Sequence, residues 1–263
     1  MYFHFFKAQL NKKVMAFRIV FVWFMASNTI QLSGQKVSAP RWFLLQTSAQ
    51  YNINGGDWKS RYPAFTSVPL SFEYFHRHKF IVGANYNIYL GSQVNENGLY
   101  GNMTNSQNEL LDLNGYPAVV RTYMRGFQSG AHALKSYPIK SGSNWHVQMG
   151  GGLGYYQSFT KFVFDENQVP QIDGKYQSGY DRLAAGWFIQ EQLRLQYLNN
   201  ELVSMGLGIH FMQGKSTNLR PYDFATQTPG NQQFTDFTYG ASLFITIPIR
   251  VSETLPEPDY YVE

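Results

Sequence analysis

A chain of 263 residues with 14% charged and 17% aromatic side chains and no cysteine carries too little charge for an ordinary soluble surface, and it has neither a disulfide framework nor a thiolate metal site. Its net charge of +4 comes from the first 34 residues, where Lys7, Lys12, Lys13 and Arg18 stand without an acid; the remainder holds 17 basic against 17 acidic residues. That balance excludes the basic footprint of a nucleic-acid-binding protein, so no nucleic-acid partner is expected.

Residues 1–34 read as export machinery. The segment NKKVMAFRIVFVWFMASNTIQLSGQK has a basic start, an apolar run from Ile19 to Ala26, then small and polar residues. This is the layout of a secretory signal peptide, with cleavage between Gly34 and Gln35. The alternative is an uncleaved anchor, but Arg18 interrupts the run and what is left is far short of the roughly 20 residues of a spanning helix.

Period-two alternation then recurs through residues 35–251. In WFLLQTSAQYN, Phe43, Leu45, Ala49 and Tyr51 share one face; in TSVPLSFEYF, Val68, Leu70, Phe72 and Tyr74; in FIVGANYNIYL, Phe80, Val82, Tyr86, Ile88 and Leu90. The long segment VVRTYMRGFQSGAHALKSY aligns Tyr123, Phe127, Ala131 and Tyr137, and WHVQMGGGLGYYQSF aligns Trp145, Val147, Leu153 and Phe159. LAAGWFIQEQLRLQY, VSMGLGIHF and FTYGASLFITIPIRV complete eight candidate strands, the last with Leu243, Ile245 and Ile247 in its apolar set. Arg121, Arg125, Lys135 and Glu191 break the rule by falling in the apolar register. The two arginines are expected above a bilayer, Lys135 snorkels near a turn, and Glu191 calls for a β-bulge to re-aim it.

Connections alternate in length. HRHK, PIKSGSN and LNNE are short, whereas Asn52–Phe65, Gly91–Tyr116, Phe164–Tyr180 and Met212–Gln233 are long and polar. Short turns at one end and long loops at the other describe an all-β, eight-stranded, antiparallel up-and-down transmembrane β-barrel. A soluble carrier would turn the apolar set inward. Here the other face is rich in Gly, Ser, Thr and Gln, which suits a narrow lumen filled by side chains. Aromatic residues gather near both strand ends, as two lipid–water boundaries require. Leu243, Ile245 and Ile247 are therefore expected to face lipid.

The alternation, the arm SNWHVQMGGGLGYY and the loop asymmetry resemble the small outer-membrane β-barrel proteins, the eight-stranded group with OmpA- and OmpX-like barrels of Bacteroidetes type. The resemblance spans residues 40–251. It implies an outer-membrane protein of a Gram-negative bacterium, with a porin-like wall and both barrel ends in the periplasm. Its surroundings would be outer-membrane lipid and lipopolysaccharide. Its role would be structural, in surface interaction, or as an accessory subunit with a protein partner in an envelope complex. The chain departs from many such proteins in its end. The last strand is followed by an acidic tail, residues 252–263, with Glu253, Glu257, Asp259 and Glu263.

For chemistry, the lumen register supplies Glu73, His132, His146, Arg194 and Arg250, which a narrow lumen should pair into a polar plug. The weak catalytic candidates are His210 and Ser216 in GIHFMQGKSTN, loosely similar to the histidine–serine–asparagine motif of lipid A deacylases. Five residues separate them, and His210 points to the lumen, so a nucleophile–base pair is not expected. A lipid A acyl hydrolase or acyltransferase is the alternative to a non-enzymatic barrel, with a narrow channel third. Cofactors and metals are expected to be none. Gly150–Gly152 lies inside a strand, where it relieves crowding and cradles no phosphate.

Overall fold

The structure, a computed structural model, describes residues 42–250 except 77–78, 101–102, 108, 142, 165–168, 171, 175 and 199–202. The expected signal peptide 1–34 and acidic tail 252–263 lie outside the described residues, as does the side chain of Arg250.

Eight strands form the wall. They are β1 (Trp42–Gly55), β2 (Ala64–Phe75), β3 (Phe80–Gly91) and β4 (Val120–Pro138), followed by β5 (Trp145–Phe164), β6 (Ala184–Tyr197), β7 (Ser204–Asn218) and β8 (Gln233–Arg250). Successive strands pair antiparallel, and β1 closes on β8 from Trp42–Arg250 to Gly55–Phe237. The result is a closed up-and-down barrel with no open sheet edge. Each strand is longer than the 9–11 residues that a tilted crossing needs. Pro69 lacks the N–H a ladder requires, and the β1–β2 register skips from Thr47–Leu70 to Gln50–Ser67 around it.

Hydrogen-bonded rows climb the wall. The row that leaves β1 at Gln50 runs through Ser67, Tyr89, Gly126, Ser158, Ala184 and Asn218. Asn218 bonds Gln232, while Gly56 already faces Asp236, so the row returns beyond its starting point. The strands are therefore tilted, and residues at one depth belong to different rows. Tyr86 stacks on Phe127 (5.7 Å between ring centroids), Tyr155 meets Trp187 (5.7 Å) and Phe211 meets Tyr239 (4.9 Å), which together make a belt near the long-loop end. Phe43 with Tyr74 (5.3 Å) and Trp145 with Tyr197 (5.3 Å) mark a second belt toward the short turns.

Between the belts the outward register is apolar and exposed. Leu243, Ile245 and Ile247 are about half exposed on the outer wall, at 59%, 48% and 47%, while their neighbours Phe244 and Thr246 are buried inside. Glu191 requires a correction. The β6 register is unbroken against both β5 (Gly151–Glu191) and β7 (Glu191–Phe211), so no bulge re-aims it. The side chain keeps its outward position, opposite Gly151 and Phe211 and four residues from the belt residue Trp187 on the same strand. Lys135, at the other end, departs from the expected snorkelling: it is buried, with its ammonium resting 5.6 Å from the Phe80 ring and 5.4 Å from that of Tyr137.

The long connections also differ from their expected polarity. A helical turn, α1 (Gly56–Arg61), follows β1, and a short one, α2 (Gln177–Tyr180), precedes β6. Above the barrel, Leu99, Leu110, Val169, Ile172 and Tyr180 bury against Phe162 of the overlong β5. The sequence of these loops looks polar because the apolar residues follow no period, yet they make a second core.

Candidate functional site

The lumen is packed with side chains at two levels. Near the short turns, Glu73 is buried and its Oε1 accepts from Arg194 Nη1 (2.7 Å) and lies 3.0 Å from His132 Nε2. Arg194 also donates to Gln46 (3.1 Å) and Gln192 (3.1 Å), and Gln196 links Gln148 (2.6 Å) to Thr246 (2.9 Å). A buried carboxylate held by a guanidinium and further polar groups is the satisfied form of an otherwise costly charge. Of the five residues expected in this network, Glu73, His132 and Arg194 meet. His146 does not join them; it lies beside the Ser136 hydroxyl (3.0 Å), at the turn end of β5. Arg250 is placed only by its backbone, opposite Trp42.

Inward glycines give room to large side chains on other strands. A Cβ at Gly206 would lie 2.4 Å from the Phe244 ring, and one at Gly214 would lie 2.6 Å from the Tyr156 ring. The Gly150–Gly152 run works on the same principle: a Cβ at Gly150 would meet Leu134 and the backbone of β4.

Toward the long loops the lumen is closed by α1, which turns inward. Trp58 and Tyr62 are fully buried and pack with Phe65, Tyr89, Met124, Tyr156, Phe188 and Met212. The turn is made possible by Gly56, whose φ is +62° and where a Cβ would lie 2.3 Å from the Thr235 carbonyl oxygen. Asp57 fixes the turn from the outside by accepting from the Thr235 N–H (2.7 Å). Inside, Asp236 is wholly buried and accepts from Arg61 (3.0 Å), the Tyr156 hydroxyl (2.6 Å) and the Ser216 hydroxyl (2.6 Å). Burial holds the Tyr62 phenol above its usual range, partly offset by Arg61, a hydrogen bond with Thr160, and Arg182.

This arrangement places the two weak catalytic candidates. Ser216 gives its proton to Asp236, and His210 Nε2 lies 3.0 Å from Asn52 Oδ1. Both point into the lumen, and His210 faces Gly240 while Ser216 faces Phe234 further along the same ladder. The serine is not hydrogen-bonded to the histidine; its hydroxyl donates to the Asp236 carboxylate, which Arg61 and Tyr156 also hold.

Sequence reasoning missed Arg61, Trp58 and Asp236. The first two fall in a segment that reads as loop. Asp236 was within reach, since the inward alternation of Gly240 and Thr238 continues one step back to it. Two outward cations were missed as well: Lys161 on β5 and Lys215 on β7, both exposed. Above the rim, Arg182 donates to the carbonyl oxygens of Asn95 (2.8 Å) and Asn97 (3.5 Å), and Arg220 forms a two-pronged ion pair with Asp181 that raises the arginine's proton affinity. These bonds tie three connections to one another.

No protein-family model matches the sequence, and no curated protein matches it. Among solved structures the chain is similar to Neisserial surface protein A, with 10% identity and a TM-score of 0.44 over 78% of this chain and 96% of that one. It is similar to OprG of Pseudomonas aeruginosa at 11% identity and a TM-score of 0.41, covering 81% and 97%. It is also similar to Ail, the attachment invasion locus protein of Yersinia pestis, at 9% identity and a TM-score of 0.38, covering 78% and 99%.

Proposed function

We propose that this protein is an integral outer-membrane β-barrel with a sealed lumen, whose task is carried by the ordered cap at its long-loop end. The observation that supports this reading most is the wall itself: an apolar band between two aromatic belts, wrapped around an interior filled by a polar network at one level and an aromatic cluster at the other. The cap then faces the outside of the cell, where it serves in surface interaction or as the docking face of an accessory subunit in an envelope complex. The short turns face the periplasm. A lipid A enzyme is not proposed, since His210 and Ser216 are bonded to Asn52 and Asp236 inside the lumen.

The test is insertion and sidedness. Purified protein refolded into liposomes should gain resistance to trypsin over the wall and show a heat-dependent gel mobility. In intact cells a small epitope tag after Gly98 should be reached by antibody, and a tag after Lys140 should be reached only after the envelope is opened. A protein that stays soluble without detergent and never shows the mobility shift would sink the reading. Reversed accessibility of the two tags would sink its orientation.

A further inference from the structure

Among the described residues, the outward register of the eight strands holds only six charged side chains: Arg121, Arg125, Lys135, Lys161, Glu191 and Lys215. Three of them, Arg121, Arg125 and Lys161, lie together on the β4–β5 wall, on the long-loop side of the belt. In the ladder Tyr123 faces Lys161, Arg125 faces Phe159 and Arg121 faces Val163. Lys161 is thus the diagonal neighbour of Arg125 across Tyr123, at a Cβ separation of about 7 Å.

Arg125 is held in place without being neutralised. Its Nη1 donates to the carbonyl oxygens of Met124 (2.8 Å) and Gly91 (3.3 Å), and its guanidinium carbon lies 5.0 Å from the centre of the Tyr123 ring. These bonds use one nitrogen and leave Nη2 and Nε of the planar fork to meet a further acceptor. No carboxylate pairs with Arg125 or Lys161 among the described residues. Two like charges at this diagonal spacing repel, and an anion between them relieves that repulsion.

Immediately below, the wall is apolar. Leu90 faces Arg125, Ile88 faces Phe127, and Phe127 stacks on Tyr86. A soluble anion would use the cations alone. An amphiphile uses both surfaces, with acyl chains on Ile88, Tyr86 and Phe127 and a phosphate at the cations. We propose that Arg125 and Lys161, both neighbours of Tyr123, bind a phosphate group on the headgroup of an anionic lipid in the leaflet around the long-loop end. Lys215, opposite Trp187 on β7, places another cation above the same belt elsewhere on the ring. This inference rests on the proposed membrane reading and adds to it a lipid class and an address.

The test uses the full chain folded in phosphatidylcholine nanodiscs. Native mass spectrometry measures retention of bisphosphorylated lipid A during titration, with fully dephosphorylated lipid A and sodium pyrophosphate as the other arms. Wild type should retain the bisphosphorylated lipid and discriminate against the dephosphorylated one. Lys161→Gln should weaken retention about tenfold, and adding Arg125→Gln about tenfold more, as expected for charge-assisted hydrogen bonds. Lys140→Gln, exposed at a short turn, should match wild type. Pyrophosphate should not displace the lipid. Equal retention by wild type and Lys161→Gln would overturn the proposal, and displacement by pyrophosphate would make this a soluble-phosphate site. If the double variant fails to fold, Lys161→Gln alone decides, because that exposed side chain makes no contact the wall depends on. Failure of wild type to enter nanodiscs would instead overturn the membrane reading.

Discussion

Glu73 on β2 and Arg194 on β6 meet 2.7 Å apart across the lumen, joining strands with three others between them on either side of the ring. The pair is a cross-brace that no single hairpin contains. Glu73→Ala should destabilise the folded barrel by about 3–5 kcal/mol, because it leaves a buried guanidinium with only amide partners. The double change Glu73→Leu with Arg194→Met should recover much of that loss. Urea unfolding in detergent micelles measures both. Equal stability of Glu73→Ala and wild type would show that water enters the lumen and solvates Arg194.

Leu243 tests which solvent the wall touches. It is 59% exposed and lies between the belts. Leu243→Arg should weaken folding into bilayers by about 2–4 kcal/mol. Folding efficiency into liposomes of increasing thickness checks this. Normal insertion of the variant would remove lipid from that face and revive a soluble carrier.

Gly56 tests the plug. Any side chain there is strained by the positive φ and collides with the Thr235 carbonyl, so Gly56→Ala should loosen α1. Wild type should show no stable conductance in planar bilayers, and the variant should show brief, small openings. A steady wild-type current would mean that the lumen is not sealed.

Ser216 and Asp236 separate structure from catalysis. Ser216→Ala removes one of three donors to a wholly buried carboxylate, which should cost about 1–3 kcal/mol of stability. His210→Ala should leave Asn52 without that partner. Neither change should alter lipid A acylation, as read by mass spectrometry of lipid A from cells carrying each variant, wild type or no copy. An acyl chain gained or lost with wild type and restored in both variants would establish an enzyme.

The wall was legible because alternation is a local signal: Leu243, Ile245 and Ile247 declare a face without knowing their neighbours. Position around a tilted ring is not local. Glu191 looked misplaced because alternation puts a carboxylate on an apolar face, and only the unbroken pairing with Gly151 and Phe211 shows that it stays there. The upper site was hidden for a related reason. GGDWKSR reads as a polar loop until closure puts Asp236, 175 positions away, against Arg61. The cap was hidden because Leu99, Leu110, Val169 and Ile172 follow neither a strand nor a helix period.

The joint between β1 and β8 is the last that a growing barrel can make, since it needs both ends of the wall, and contacts so distant in sequence form slowly. The α1 turn is fastened across that same joint, by Asp57 to Thr235 and by Arg61 to Asp236. Until β8 arrives, Arg61 has no Asp236 and the α1 turn that carries Trp58 lacks both of these fastenings. An unfinished wall therefore keeps an open bore, and finishing the wall shuts it. In a variant retaining Trp58 as its sole tryptophan, shielding from iodide and the gel shift of the closed barrel should develop with one rate constant; two separate rates would disconnect them. A single rate constant would make assembly and sealing one kinetic event, with no closed yet leaky form between them.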